Sequence, residues 1–340
     1  MMQINISPKC KADIKSLHKN YINSRCMSIK NGQTQNRKTC LIKELDDFEI
    51  KYSSSHAIPS NLGNTFFSDL NDITCGEFSQ LDAMKQKYSC LHIDHDIVHK
   101  KEEDRNEYEN DLIELGDKIQ EFLDYSGFSK AQFSAWGARK FISMLHESVC
   151  PYCNAQYIYV SSRDDGIKPQ IDHLFPQAEN PIFSCSIFNM IPSCYNCNHS
   201  KSDQEDSILS PYERGFMDDA VFSIKAERQD RRNIDKIDLN KNIDIYLKVI
   251  NVTNKSEIEN AKKLFKLDDL YNCHQEELID LLQRIKKNNK IKIKNNRNIY
   301  RLLGSEKEIK KLILGIPLEF ESKNYLFKKL KDDFWKRFHK

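Results

Sequence analysis

Apolar positions in this chain fall into short periodic stretches separated by long polar ones, and the clearest helical period begins after residue 105. Leu112, Leu115, Ile119 and Phe122-Leu123 recur at three- and four-residue spacing, which predicts an amphipathic helix over about 106–128. Phe133, Trp136, Ala138, Phe141-Ile142 and Leu145 predict a second helix from about 129 to 147, leading straight into Cys150. The period then changes. Cys150 to Ser161 reads as a cysteine knuckle followed by a strand rich in Tyr, Ile and Val, Arg163-Asp164-Asp165-Gly166 as a turn, and Pro169 to Leu174 as the partner strand. After a short apolar segment, Pro181 to Ile191, a helix is expected from Pro192 through Cys194 to Lys201. Beyond Gly215-Phe216 the pattern is helical again, carried by Ile258, Ala261 and Leu264, by Leu278, Leu281-Leu282 and Ile285, then by Leu312 to Leu314 and Leu326, Leu330 and Phe334-Trp335. Residues 1–105 show short apolar runs between Asn/Ser/Thr-rich stretches and no sustained helical period, so they read as a partly irregular N-terminal extension.

These elements predict an α+β chain, mostly helical, built around a small strand–strand–helix module. Four segments are expected: the extension at 1–105, a helical lead-in at 106–147, a cysteine-bearing module at 148–220 and a helical, basic C-terminal region at 221–340.

Composition adds a location and a charge asymmetry. At 340 residues, 39% hydrophobic and 30% charged, the chain suits a soluble protein with at least one sizeable core. It has no apolar run long enough to span a bilayer and no apolar signal region at its start, so no membrane partner and a cytoplasmic location are expected. The 11 cysteines are an odd number; in a reducing compartment four metal ligands and seven thiols account for them most simply. Net charge is only +2, yet residues 281–340 hold 18 Lys+Arg against 6 Asp+Glu. That tail is either a phosphate-facing surface, with Lys286, Lys287, Lys290, Lys292 and Lys294 as contacts, or the solvated face of Lys-rich helices.

The chemistry concentrates between residues 150 and 201. Two Cys-x-x-Cys pairs, Cys150/Cys153 and Cys194/Cys197, have the spacing of a closed tetrahedral zinc site. They bracket Asp172-His173 and Asn189 and are followed by Asn198-His199-Ser200-Lys201, polar residues that a purely structural knuckle does not need. Hydrolysis of a phosphodiester needs a base, a cation on the phosphate and a group that fixes the base's tautomer. His173 can be the base, Asp172 and Asn198 oxygen ligands of a hard cation, and Asn189 the acceptor that orients the imidazole. Lys201 can contact phosphate or lie as a solvated helical lysine.

Cys150-Pro-Tyr-Cys153, Ile171-Asp172-His173-Leu174-Phe175-Pro176 and the run from Asn189 through Cys194 and Cys197 to Asn198 together resemble the HNH endonuclease family, with its ββα-metal fold. The resemblance implies His173 and Asn189 as catalytic residues, Asp172 and Asn198 as ligands of Mg²⁺ or Mn²⁺, and a structural Zn²⁺ on the four cysteines. The family often ends its motif in His, which makes His199 the second choice for the last ligand. Ser210-Pro211-Tyr212-Glu213, Ala261 to Tyr271 with His274, and Leu312 to Gly315 are similar to a bacterial HNH subgroup found in Septu-type and retron-linked anti-phage systems. That likeness implies a defence role and an ABC-type ATPase partner; DNA is the expected nucleic-acid substrate, with RNA left open. Residues 1–105 lie outside it.

Two other readings stand beside this one. A non-catalytic zinc module that binds nucleic acid or a partner protein would carry the same cysteines. His92-Ile-Asp94-His95-Asp96-Ile-Val-His99 repeats the Asp-His step but lacks flanking Cys-x-x-Cys pairs, so a polar face is expected there rather than a second metal site.

Overall fold

The computed structural model of the chain describes residues 1–30, 33–202, 207–225, 237–239, 243–251, 253–288, 305–316 and 325–338, and the fold is that of these residues. It is mixed and mostly helical, with small antiparallel sheets, and divides into two units, each made of discontinuous segments. One comprises Asn5–His146 and Tyr159–Glu205; the other comprises Met1–Ile4, Glu147–Ile158 and Asp206–Lys340.

The first unit is built on helices that the apolar pattern left unread. Helices α1 (Pro8–Arg25), α2 (Arg37–Tyr52), α3 (Leu62–Cys75) and α4 (Phe78–Lys87) occupy most of the first 90 residues, with a short hairpin, β1 (Met27–Lys30) and β2 (Gln33–Asn36), between the first two. α1 is started by Ser7, whose hydroxyl accepts from the Cys10 N–H, and by Pro8 at its first position. It buries Ile14, His18 and Ile22, a four-residue stripe with a histidine in the middle. That polar member is why no hydrophobic period is visible there. A single turn of helix, α5 (His95–His99), follows.

α6 (Glu107–Leu123) is the helix expected from 106, and Asn106 and Glu109 close a reciprocal capping box at its start. It ends early, because Asp124 adopts a left-handed conformation (φ 56°) and its carboxylate caps the next helix, α7 (Tyr125–Lys130), by accepting from Gly127 N–H. The helix expected over 129–147 shrinks to α8 (Ala138–Leu145), and Trp136 lies before it, donating its indole N–H to His18 Nδ1 at 3.2 Å.

The strand pairing also differs from expectation. β3 (Gln170–His173) pairs antiparallel with β4 (Met190–Ser193), not with residues 157–160. All four β4 residues are buried, so this strand carries no alternation to read. α9 (Tyr195–Lys201) follows at once and lies against β3. The sequence thus forms strand, strand and helix in that order, with a different first pair.

In the second unit, the Cys150 knuckle is a tight loop. Cys150 N–H donates to Gln156 O, Asn154 N–H to Cys150 O, and Val149 forms one isolated bridge with Tyr157. Asn154, left-handed at φ 55°, anchors later chain, its side chain holding Tyr325 O and Lys329 N–H. The hairpin β5 (Ala220–Lys225) and β6 (Asp244–Val249) is covered by α10 (Lys255–Leu264), α11 (Leu267–Asn272) and α14 (Lys328–Phe338); α12 (Gln275–Lys287) packs on α14, and α13 (Glu306–Ile313) on α12. Among the described residues no helix is long and apolar enough to cross a membrane.

Candidate active site

β3 delivers Asp172 and His173 to a cleft of about 250 Å³, lined with them by Pro176, Gln177, Asn198 and Ser202. The strand register places His173 opposite Met190 and Asp172 opposite Ile191, and one more ladder bond, Leu174 N–H to Asn189 O at 2.9 Å, ends the pairing. Asn198 comes from the first turn of α9. His199, one residue on, is exposed and stacks on Tyr195, with ring centroids 5.7 Å apart and planes 5° from parallel. The roughly 100° step between successive helical residues separates the two. Of this pair, Asn198 is the one that reaches the cleft.

The His173 ring is buried and its protonation is specified by a carbonyl. Nε2 lies 2.9 Å from Ser184 O, which can only accept, an arrangement that favours the tautomer with the proton on Nε2 and the lone pair on Nδ1. Burial lowers the pKa of the ring to about 3, opposed by the Ser184 bond and aided by the nearby Lys201 charge. The imidazole is therefore neutral at physiological pH. Tyr125 packs its ring against that of His173 edge to face at 4.7 Å, and the Gln177 amide nitrogen lies 2.7 Å from Nε2 and 3.2 Å from Nδ1. Neither Tyr125, Gln177 nor the Ser184 carbonyl is marked by any sequence pattern. A main-chain oxygen leaves none, and Gln177 differs from a loop glutamine only in lying four residues after His173.

Two expected roles are corrected. Asn189 does not touch the imidazole. It is fully buried, its Oδ1 accepts from Phe175 N–H at 2.7 Å, and its Nδ2 donates to Phe175 O at 3.0 Å and Phe183 O at 3.1 Å. Every strong direction of the amide is thus used on backbone, and Ser184 does the orienting. Asn189 acts one step back, by fixing the residue before Ser184 and the segment after His173. Lys201 is not a phosphate contact either. Its side chain is 0% exposed, and its Nζ donates to His173 O at 2.6 Å and lies 3.4 Å from Asp172 Oδ1. A lysine is buried in this way only where its charge is matched, here by a carboxylate that is itself 3% exposed.

The four cysteines come together. The sulfurs of Cys150, Cys153, Cys194 and Cys197 all lie within 4.8 Å of one another, all four residues are buried, and none is in a disulfide. A tetrahedral Zn²⁺ with Zn–S near 2.3 Å sets its sulfurs about 3.8 Å apart, so only a small contraction separates the cluster from a filled site. Backbone N–H groups already face two of the sulfurs: Ala155 toward Cys153 at 3.5 Å and Cys197 toward Cys194 at 3.4 Å. Four soft donors without oxygen ligands could hold a structural metal such as zinc. The cleft offers the opposite chemistry, the carboxylate of Asp172 and the amide oxygen of Asn198, a sparse oxygen set that fits a cation retaining several waters.

The remaining candidates are placed as follows. Lys286 gives its amine to Ile237 O at 3.1 Å, while Lys287 is exposed. Lys290, Lys292 and Lys294 lie outside the described residues. The histidines near residue 95 meet the loop after the cleft: His92 Nδ1 is 3.1 Å from Asn180 Oδ1 and His95 Nδ1 is 2.8 Å from the buried Glu179 carboxylate. Compared with protein-family models, with curated proteins and with solved structures, the chain matches none.

Proposed function

We propose that this chain is a metal-dependent endonuclease of the HNH kind, hydrolysing phosphodiester bonds in nucleic acid, with DNA as the expected substrate. The observation that carries the reading is the neutral His173, its Nε2 proton held by Ser184 O, in one cleft with Asp172 and Asn198. In it, Nδ1 takes the proton of an attacking water as the new P–O bond forms and the old one breaks. Asp172 and Asn198 would hold Mg²⁺ or Mn²⁺, which supplies positive charge against the phosphate. Asn189 and Lys201 position the strand end rather than touch substrate. Zn²⁺ on the four cysteines is structural, and β3, β4 and α9 correspond to the ββα element of the proposed family. An anti-phage role beside an ATPase subunit extends the same reading, and co-purification with the products of neighbouring genes tests it.

The decisive experiment measures cleavage of DNA and RNA with Mg²⁺ or Mn²⁺, with and without EDTA, for the wild type and His173→Ala. Loss of the base lowers the rate by about 10²–10⁴-fold and leaves zinc content intact. Undiminished, metal-dependent cleavage by His173→Ala overturns the mechanism.

One observation favours a second reading, a non-catalytic zinc module that binds nucleic acid or a partner. Asp172 already faces an internal cation, Lys201, at 3.4 Å. On that reading His173→Ala and Asn198→Ala leave function unchanged, and only cysteine substitutions abolish it.

A further inference from the structure

A second cavity, of about 300 Å³, opens in the C-terminal helical unit among α11, α12 and the start of α14. Its floor is apolar, with Leu278, Leu281 and Leu330 all buried. One wall is aromatic: Phe327 meets Tyr271 edge-on at 5.5 Å and His274 at 4.8 Å, and Tyr325 lies two residues before it.

Two cations converge on this apolar and aromatic lining. Lys331 has no ion pair among the described residues, and its Nζ stands 5.4 Å from the Tyr325 ring centroid. Arg284 pairs with Asp280 through one nitrogen, but its Nε is buried without a hydrogen-bond partner among the described residues. Gly315 makes room for that guanidinium: its φ is +64°, and a Cβ there would stand 2.4 Å from Arg284 Nη1. Burial and the nearby Arg284 both depress the Lys331 amine, so the two charges feel each other. The carboxylates on the rim are engaged, Glu277 by His274 and Asp280 by Arg284. A half-buried cation without a counter-charge is costly, and an anion removes the cost.

We propose that this cavity binds a mononucleotide, its phosphate against Lys331 and Arg284 and its base against the Tyr325–Phe327 wall. Stacking on aromatic rings and pairing with adjacent cations are the two contacts a nucleotide offers at once. A cavity near the small end of the ligand-pocket range takes a single nucleoside monophosphate rather than a strand. This site is separate from the His173 cleft and does not rest on the nuclease reading.

Titration calorimetry on the full chain with AMP, GMP, CMP and UMP, and with adenosine and inorganic phosphate as the separate halves, tests it. At least one mononucleotide binds with Kd below about 1 mM, and each half binds about tenfold or more weakly. Lys331→Met weakens the nucleotide about tenfold; if its circular dichroism is not native, Tyr325→Leu is read instead. Three results overturn the assignment: no mononucleotide bound at about 5 mM, phosphate alone binding as tightly, or undiminished binding by the folded variant.

Discussion

Lys201 offers the sharpest test of how the cleft is held together. Its ammonium group is sealed from solvent, donates to the His173 carbonyl at 2.6 Å and lies 3.4 Å from the buried Asp172 carboxylate. Lys201→Met keeps most of the side-chain volume, so no large cavity opens and the loss is electrostatic. Removing one partner of a buried pair costs about 3–5 kcal/mol, because the other charge stays buried and loses that counter-charge. The orphaned His173 carbonyl adds about 1–3 kcal/mol, not fully additively, because both losses share one site. A total near 4 kcal/mol corresponds to a fall of about 8–16 °C in melting temperature for a unit of this size. The assay is urea denaturation followed by far-ultraviolet circular dichroism, with thermal melts alongside. The double variant Lys201→Met/Asp172→Asn removes the stranded charge and should recover roughly half of the loss. A single-variant loss under about 1 kcal/mol, or no recovery in the double variant, refutes the buried-pair account.

Other outcomes follow from the same geometry. Purified protein should carry about one zinc per chain, and Cys194→Ser or a strong chelator should remove it and melt the surrounding fold, as read by metal analysis and circular dichroism. Asn189→Ala deletes three buried hydrogen bonds and should lower stability by about 2–4 kcal/mol in urea titrations. His18 is buried with both ring nitrogens engaged, Nε2 with Cys185 O at 2.7 Å and Nδ1 with the Trp136 indole N–H, and burial lowers its pKa from 6.5 to about 4. Below pH 6.5 the unfolded chain gains this proton before the folded one. The stability linked to His18 is therefore full above about pH 6.5 and declines by about 3 kcal/mol as the pH falls to 4; the buried His173 adds a decline of the same sign, so His18→Gln should flatten the slope and leave the His173 part.

What the sequence disclosed was chemistry with a characteristic spacing. The two Cys-x-x-Cys pairs led to four gathered sulfurs, and Asp172, His173 and Asn198 line one cleft. Burial without alternation hid the rest. β4 is buried on both faces and cannot announce itself as a strand, whereas Tyr157 to Val160, with its visible β-branched and aromatic residues, reads as the partner of β3. Histidine 18 interrupts the stripe of α1, and Asp124, an ordinary helical residue by composition, ends α6 through a backbone angle. Asn189 and Lys201 stand out by position while their roles stay hidden, because both satisfy backbone atoms, and the chain's own carbonyls leave no trace among the side chains.

Asn189 also bears on how function in this protein could be mapped. Its amide gives Phe175 both an acceptor and a donor, replacing one rung of the β3–β4 ladder where the main chain departs. Asp and Leu have nearly the right size but cannot offer both groups, and Gln offers both from one methylene too far. Nearly every substitution there should therefore abolish the proposed cleavage and group Asn189 with His173 in an activity-only screen. Soluble yield would tell the two apart: a cell would accumulate the folded His173 variant and degrade the Asn189 one.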